Sequence, residues 1–265
     1  MVLLPTLITL GNGICGMLAV GRTGLGMADG RAVYFQQAAW LILAAMIFDA
    51  LDGFVARMTR TASPFGAQLD SLCDLISFGV APGFLVLAVT RTAQRDAFLL
   101  ERLVPAVCVL YALCALIRLA RFTIETPADE GAHRDFSGLP SPAAAGLIAG
   151  AVLPTRELLR WGPGMASLLV GILPALAFGA AVLMVSRIRY AHVVNRLLQG
   201  RRPFVTLIEF ALLLTLAYLF RELVFFLAFL GYTATGPALW AKHRLLPRTA
   251  RPPSLSRPVR HQDWF

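Results

Sequence analysis

The sequence predicts an all-α, polytopic integral membrane protein of about eight transmembrane helices. Hydrophobic residues make up 57% of the 265-residue chain and charged residues only 15%, whereas a soluble domain carries roughly a quarter charged residues. Apolar runs of about 20 residues, the length that crosses the hydrocarbon of a bilayer, recur near 2–20, 33–56, 66–90, 103–122, 141–158, 165–186, 204–220 and 222–241. The 24 Lys and Arg residues are divided among the links between these runs, so the net charge of +9 does not read as a nucleic-acid surface.

The first run, LPTLITLGNGICGMLAV, is interrupted by Gly-Asn-Gly and could lie along the interface instead of crossing; it lacks the basic start of a cleavable signal. Its Gly11, Gly13 and Gly16 permit close approach of either another helix or a ligand. The second and third runs meet in the link MTRTASPF, where Ser63 and Pro64 can end one helix and start the next. Pro82 and Gly83 predict a kink in the third run. The fourth ends in CALIRLARFT, whose Arg118 and Arg121 are three residues apart and share a face. They read either as snorkelling cations or as groups that hold a substrate anion.

The fifth run opens on FSGLPSPAAAG. Ser141 can cap a helix there, Pro142 suits its first turn, and the free N–H groups of the start can also hold an anion. Pro154 and Pro174 bend the fifth and sixth runs. The link SRIRYAHVVNRLLQGRRPF is amphipathic and basic; anionic head groups suit it, and Arg187 or Arg189 could instead reach a substrate phosphate. The last two runs form a hairpin joined at Arg221 and Glu222, and the tail from residue 242 is basic and proline-rich, a composition that predicts disorder near anionic lipid. The domain reading is therefore a membrane domain over 1–203, an added hairpin over 204–241 and a tail over 242–265. With the Arg57–Arg60 link placed in the cytoplasm, that side holds 16 of the 24 basic residues, so both termini are expected there. Cys15, Cys73, Cys108 and Cys114 fall in apolar runs without a CxxC pair and read as small core residues; the four histidines lie in links or the tail.

One stretch breaks the apolar pattern. DALDGFVARMTRTASPFGAQLDSLCD places Asp49, Asp52, Asp70 and Asp74 at or beside membrane depth. On helices, the spacings of three and four residues put each pair on one face, and a helical hairpin would aim both faces at one space. A single charge at the bilayer centre costs about 2.5–3.5 kcal/mol on insertion scales, so four carboxylates call for positive charge beside them. All-oxygen ligands select a hard divalent cation such as magnesium, manganese or calcium. Gly53, Ala56 and Gly66 lie on the same faces and leave room for a bulky ligand against the backbone.

The pattern Asp49-x2-Asp52-Gly53-x2-Ala56-Arg57-x8-Gly66-x3-Asp70-x3-Asp74 resembles the full signature of the CDP-alcohol phosphotransferase family. The resemblance implies that family's membrane fold and a centre of two divalent metal ions, Mg2+ or Mn2+, held by Asp49, Asp52, Asp70 and Asp74. It implies a CDP-binding set of Asp52, Gly53, Ala56, Arg57, Gly66 and Asp70, with Asp74 as the catalytic base. Two further strings, the glycine-rich opening and GLPSPAAAG with RLARF upstream, resemble the phosphatidylserine synthases of that family. Under that resemblance CDP-diacylglycerol is the donor, L-serine the acceptor, and Arg118, Arg121, Ser137, Gly138, Pro140 and Ser141 enclose the acceptor. A homodimer is expected on the same ground, whereas the multi-pass position in the cell membrane among its lipids follows from the apolar runs and the cytoplasm-facing active site from the arginine distribution.

Glycerol 3-phosphate and an inositol phosphate are the nearest rival acceptors; a phosphorylated acceptor calls for a stronger basic cluster, and the GLPSP string argues against it. A transporter or channel with an ion pathway of aspartates is the rival from another class, and it would not require the Gly53, Ala56, Arg57 and Gly66 pattern. A catalytically dead homologue is disfavoured by the presence of all four aspartates.

Overall fold

The computed structural model describes residues 3–59, 63–93, 98–125, 138–188 and 221–245. Apart from connecting turns they are helical: α1 (Leu3–Asp29), α2 (Ala32–Thr59), α3 (Pro64–Asp74), a π-helical segment (Leu75–Val80), α4 (Ala81–Ala93), α5 (Phe98–Glu125), α6 (Ser141–Val152), α7 (Thr155–Trp161), α8 (Pro163–Val185) and α9 (Arg221–Leu245). Among the described residues, five helical stretches are long and apolar enough to cross a membrane: Ala32–Ala56, Pro64–Ala93, Arg102–Thr123, Gly164–Val185 and Glu222–Ala241. The protein is thus an all-helical, multi-pass membrane protein. Large apolar side chains such as Leu7, Ile14, Ile47, Phe65 and Leu168 are more than half exposed, as lipid contact allows.

α1 departs from the sequence reading. It is one continuous helix of 27 residues, with Gly-Asn-Gly inside it, and it packs along α2, α3 and α4. The three glycines form its contact surface. A Cβ on Gly11 would meet the Phe48 ring at 2.9 Å, one on Gly13 the Cys73 sulfur at 2.8 Å, and one on Gly16 would collide with Ser77. Small residues let membrane helices approach closely enough for dispersion to hold them. α1 therefore braces α2 and α3 together, in place of a direct two-helix hairpin.

The link between α2 and α3 matches expectation at its close. Ser63 is the N-cap of α3, its hydroxyl accepting from the Gly66 amide at 3.0 Å, and Pro64 opens the first turn. The irregularity expected at Pro82 and Gly83 begins earlier. The backbone widens to a π-helix at Leu75 and returns at Ala81, whose N–H bonds the Ile76 carbonyl. Pro82 has no N–H to offer the Phe78 carbonyl, and the fully buried Tyr111 hydroxyl donates to that carbonyl at 3.1 Å. Pro82 itself sits in the opening turn of α4, where it is tolerated.

The expected span at 141–158 is two helices. α6 has 12 residues and ends at Val152, because Pro154 cannot continue it; α7 starts at Thr155. The Gln36 amide donates to the Leu153 carbonyl at 3.0 Å, which satisfies a group freed by the break. α6 is the buried centre, with Ala144, Ala145, Ile148, Ala149 and Ala151 fully enclosed, and α2, α8 and α9 pack around it. α8 runs through Pro174 as one helix. α9 continues to Leu245, so the first residues of the expected tail, from Lys242, are helical. All four cysteines are buried and free. Ser137, the span near 204–220, and the tail beyond 245 lie outside the described residues.

Candidate active site

The acidic residues come together where α1, α2 and α3 meet. Asp49 and Asp52 project from α2, and Asp70 and Asp74 from α3. Carboxylate oxygens of Asp49, Asp70 and Asp74 lie within 4.8 Å of one another. Asp52 is buried and faces Asp70 across a cavity of about 160 Å³ lined also by Gly53, Ala56, Gly66 and Ala67, with Pro5 and Thr9 from α1 and Ser63 from the link. Each of the four carboxylates interacts electrostatically with the other three. The sequence pattern is therefore one site in space, with its small residues forming the cavity wall as their spacing implies. Arg57 follows Ala56 in the last turns of α2.

These residues fit hard divalent cations. The donor set is entirely carboxylate, and Asp52 Oδ2 and Asp70 Oδ1 are buried with no hydrogen-bond partner. A buried anionic oxygen left alone is costly, and metal coordination is the usual resolution. Arg118 interacts with Asp74 and Asp49, but one guanidinium answers only one of four negative charges.

Asn12 was not legible as a site residue. Its side-chain amide, fully buried on α1, donates to Asp74 Oδ1 at 2.8 Å, and its backbone carbonyl accepts from the Ser77 hydroxyl at 3.0 Å. The two bonds tie α1 to both ends of the α3–π junction and commit one oxygen of Asp74 to Asn12. The signal in the sequence is one amide between two glycines in an apolar run; nothing local names its partner, 62 residues away.

A second polar group, Arg118, interacts with Asp74 and Asp49. Arg118 Nη1 donates to Ser141 Oγ at 2.9 Å, joining α5 to the start of α6. Ser141 is the first residue of α6, not its cap; Pro140 holds the cap position and makes no side-chain bond. Arg118 Nε is buried without a partner, a donor left over for a ligand. Arg121, one turn further along α5, is half-buried. Gly138 shapes the approach to α6: its φ is +91°, its amide donates to the Ile188 carbonyl at 2.9 Å and Leu139 donates to Leu183 at 2.9 Å. A Cβ at Gly138 would strike the Met184 carbonyl, so only glycine fits both the turn and the contact.

A family model described as CDP-alcohol phosphatidyltransferase matches residues 2–182, and the chain belongs to that family. Among curated relatives, the CDP-diacylglycerol–serine O-phosphatidyltransferase of Helicobacter pylori strain J99 is 35% identical over 190 residues, covering 72% of this chain and 72% of the relative. The enzyme of the same name from Bacillus subtilis strain 168 is 32% identical over 190 residues, 71% of this chain and 90% of the relative. That of Saccharomyces cerevisiae is 36% identical over 155 residues, 57% of this chain and 53% of the relative. Membership sets aside the ion-pathway reading of the aspartates.

Proposed function

We infer that the protein is an enzyme that transfers the phosphatidyl group of CDP-diacylglycerol to the hydroxyl of L-serine, releasing CMP. The observation that carries this reading is the composite site. Asp52 and Asp70 line a small-residue cavity next to the Asp49, Asp70 and Asp74 cluster, and Arg118, tied to the α6 start, interacts with Asp74 and Asp49. The names of the similar proteins agree with serine as the acceptor.

In this reading Asp49, Asp52, Asp70 and Asp74 hold two divalent cations, Mg2+ or Mn2+. When bound, these ions neutralise the pyrophosphate and stabilise charge on the departing CMP. Gly53, Ala56 and Gly66 admit the CDP group against the α2 and α3 backbones, with Arg57 beside them, while the acyl chains stay in the bilayer. Arg118 takes the serine carboxylate through its unused donor, with Ser141 fixing its direction and Arg121, Ser137, Gly138 and Pro140 forming the surround. Asp74, oriented by Asn12, accepts the proton of the serine hydroxyl as its oxygen attacks the phosphorus that carries the diacylglycerol. The phosphorus–oxygen bond to CMP breaks as the new one forms. The protein acts as a homodimer in the cell membrane with the site facing the cytoplasm, where serine and CDP-lipid are both accessible.

The test is CMP release by purified protein in detergent with CDP-diacylglycerol and Mn2+ or Mg2+, comparing L-serine, glycerol 3-phosphate and inositol phosphate. Release that requires serine and metal supports the reading. Release with a phosphorylated acceptor alone overturns the choice of serine.

A further inference from the structure

We propose that α9, which lies beyond the family-matched residues, belongs to the acceptor side of the site, and that its Tyr232 is a positioning residue for Arg118. The proposal rests on the reading of Arg118 as the group that meets the acceptor carboxylate.

The family match ends at residue 182, and a helix starting at Arg221 could be an appendage facing lipid. Its packing says otherwise. Phe229 lies on Gly146, and Phe226 on Gly150 at 3.0 Å from where a Cβ would stand. The pair Gly146 and Gly150 is a small-xxx-small face, the pattern that lets membrane helices meet backbone to side chain. α9 is also held to α2, where Phe225 stands edge-on to Trp40 with ring centroids 5.6 Å apart. Because Gly146 pairs with the later phenylalanine and Gly150 with the earlier one, α9 runs antiparallel to α6.

That register decides what α9 brings to the site. Tyr232 is three residues beyond Phe229, one turn nearer the beginning of α6, where Ser141 accepts its bond from Arg118. Tyr232 is half-buried against the core, and it and Arg118 interact electrostatically. The groups that face Arg118 are thus Asp74 and Asp49 from the acidic site, Tyr111 on its own helix, Ser141 on α6 and Tyr232 on α9. Ser141 restrains one terminal nitrogen, while Nε has no partner. An arginine side chain has many rotamers; a phenol beside it limits them and keeps the open donor turned toward the acceptor. α9 would then set how well a carboxylate-bearing acceptor is held while leaving donor binding and the metal cluster untouched.

The experiment uses the full-length protein in detergent with CDP-diacylglycerol, Mn2+ and varied L-serine, following CMP release for wild type, Tyr232→Phe and Tyr232→Leu. The expected result is a rise of about 3- to 10-fold in KM for L-serine in Tyr232→Phe and a larger rise in Tyr232→Leu. KM for CDP-diacylglycerol and the thermal midpoint of Tyr232→Phe stay at wild-type values. Inhibition by serinol, which keeps the hydroxyl and amine but lacks the carboxylate, is expected to be the same in wild type and Tyr232→Phe. An unchanged serine KM in both variants overturns the proposal, as does a loss confined to kcat or an equal weakening of serine and serinol. If wild type proves to use a different acceptor, the serine reading fails separately, and the same comparison is made with that acceptor.

Discussion

Asn12 and Asp74 show how a polar pair inside apolar helices orders a carboxylate. The amide gives Asp74 a fixed hydrogen bond, so one oxygen is committed and the other is left to accept a proton or meet a metal. Partners of this kind around metal-binding carboxylates typically affect activity or metal affinity 10–100-fold, and Asn12→Ala is expected to lower kcat by about that factor with little change in KM for CDP-diacylglycerol, as measured by CMP release. Asp70→Asn and Asp74→Asn are expected to abolish turnover while the proteins still insert and elute from size exclusion like wild type; activity in both would remove these aspartates from the mechanism. The aspartates were legible in the sequence because their geometry is local: spacings of three and four fix a shared helix face wherever the helices travel. Asn12 and the Arg118–Ser141 bond were not legible as pairs, since each joins residues on different helices. Ser141 reads as a cap by its neighbours alone, yet a buried guanidinium competes for its hydroxyl and wins.

At the scale of elements, glycine carries two opposite signals, and only packing separates them. Gly11, Gly13 and Gly16 look like breaks in α1, but in a membrane helix the backbone bonds persist and the absence of a side chain becomes a surface. Gly16→Val is therefore expected to lower the thermal midpoint and the folded yield, because a side chain there drives α1 off Ser77. Gly21→Val, which has open space around it, serves as the control with a near-wild-type midpoint. Proline is read more reliably. Pro64 and Pro154 act at helix starts and breaks as their chemistry requires, whereas Pro174 is accommodated inside α8. The π-helical widening between Leu75 and Val80 has no composition signal of its own. With it, Asp74 and Ser77 both meet Asn12 of α1 while the Phe78 carbonyl meets Tyr111 of α5, contacts that only the neighbouring helices define.

For the whole molecule, the membrane explains why the site is built from helices at all. The lipid-linked donor cannot leave the bilayer, so the acidic cavity is carried into the membrane region, where Arg118 and, in the proposed mechanism, divalent ions would meet its charge. Hydropathy alone made the all-helical, multi-pass character plain; it did not show that the run at 141–158 is divided at Pro154 into two helices, because a divided run is as apolar as a continuous one. The proposed orientation rests on arginine distribution, and in a protein lacking its native cysteines, Asp29→Cys and Thr59→Cys are expected to react with an impermeant thiol reagent from opposite faces, Thr59→Cys from the cytoplasmic one. Labelling of both from one side would reject that orientation. The most direct test of the central claim, that the aspartate site transfers a phosphatidyl group to serine, is incorporation of isotopically labelled L-serine into lipid. Membranes containing the wild-type protein are supplied with CDP-diacylglycerol, and the lipid product is identified by mass spectrometry. The expected result is labelled phosphatidylserine that disappears on metal chelation, on omission of CDP-diacylglycerol and in Asp74→Asn. Equal labelling with Asp74→Asn, or labelled lipid formed without CDP-diacylglycerol, would contradict it.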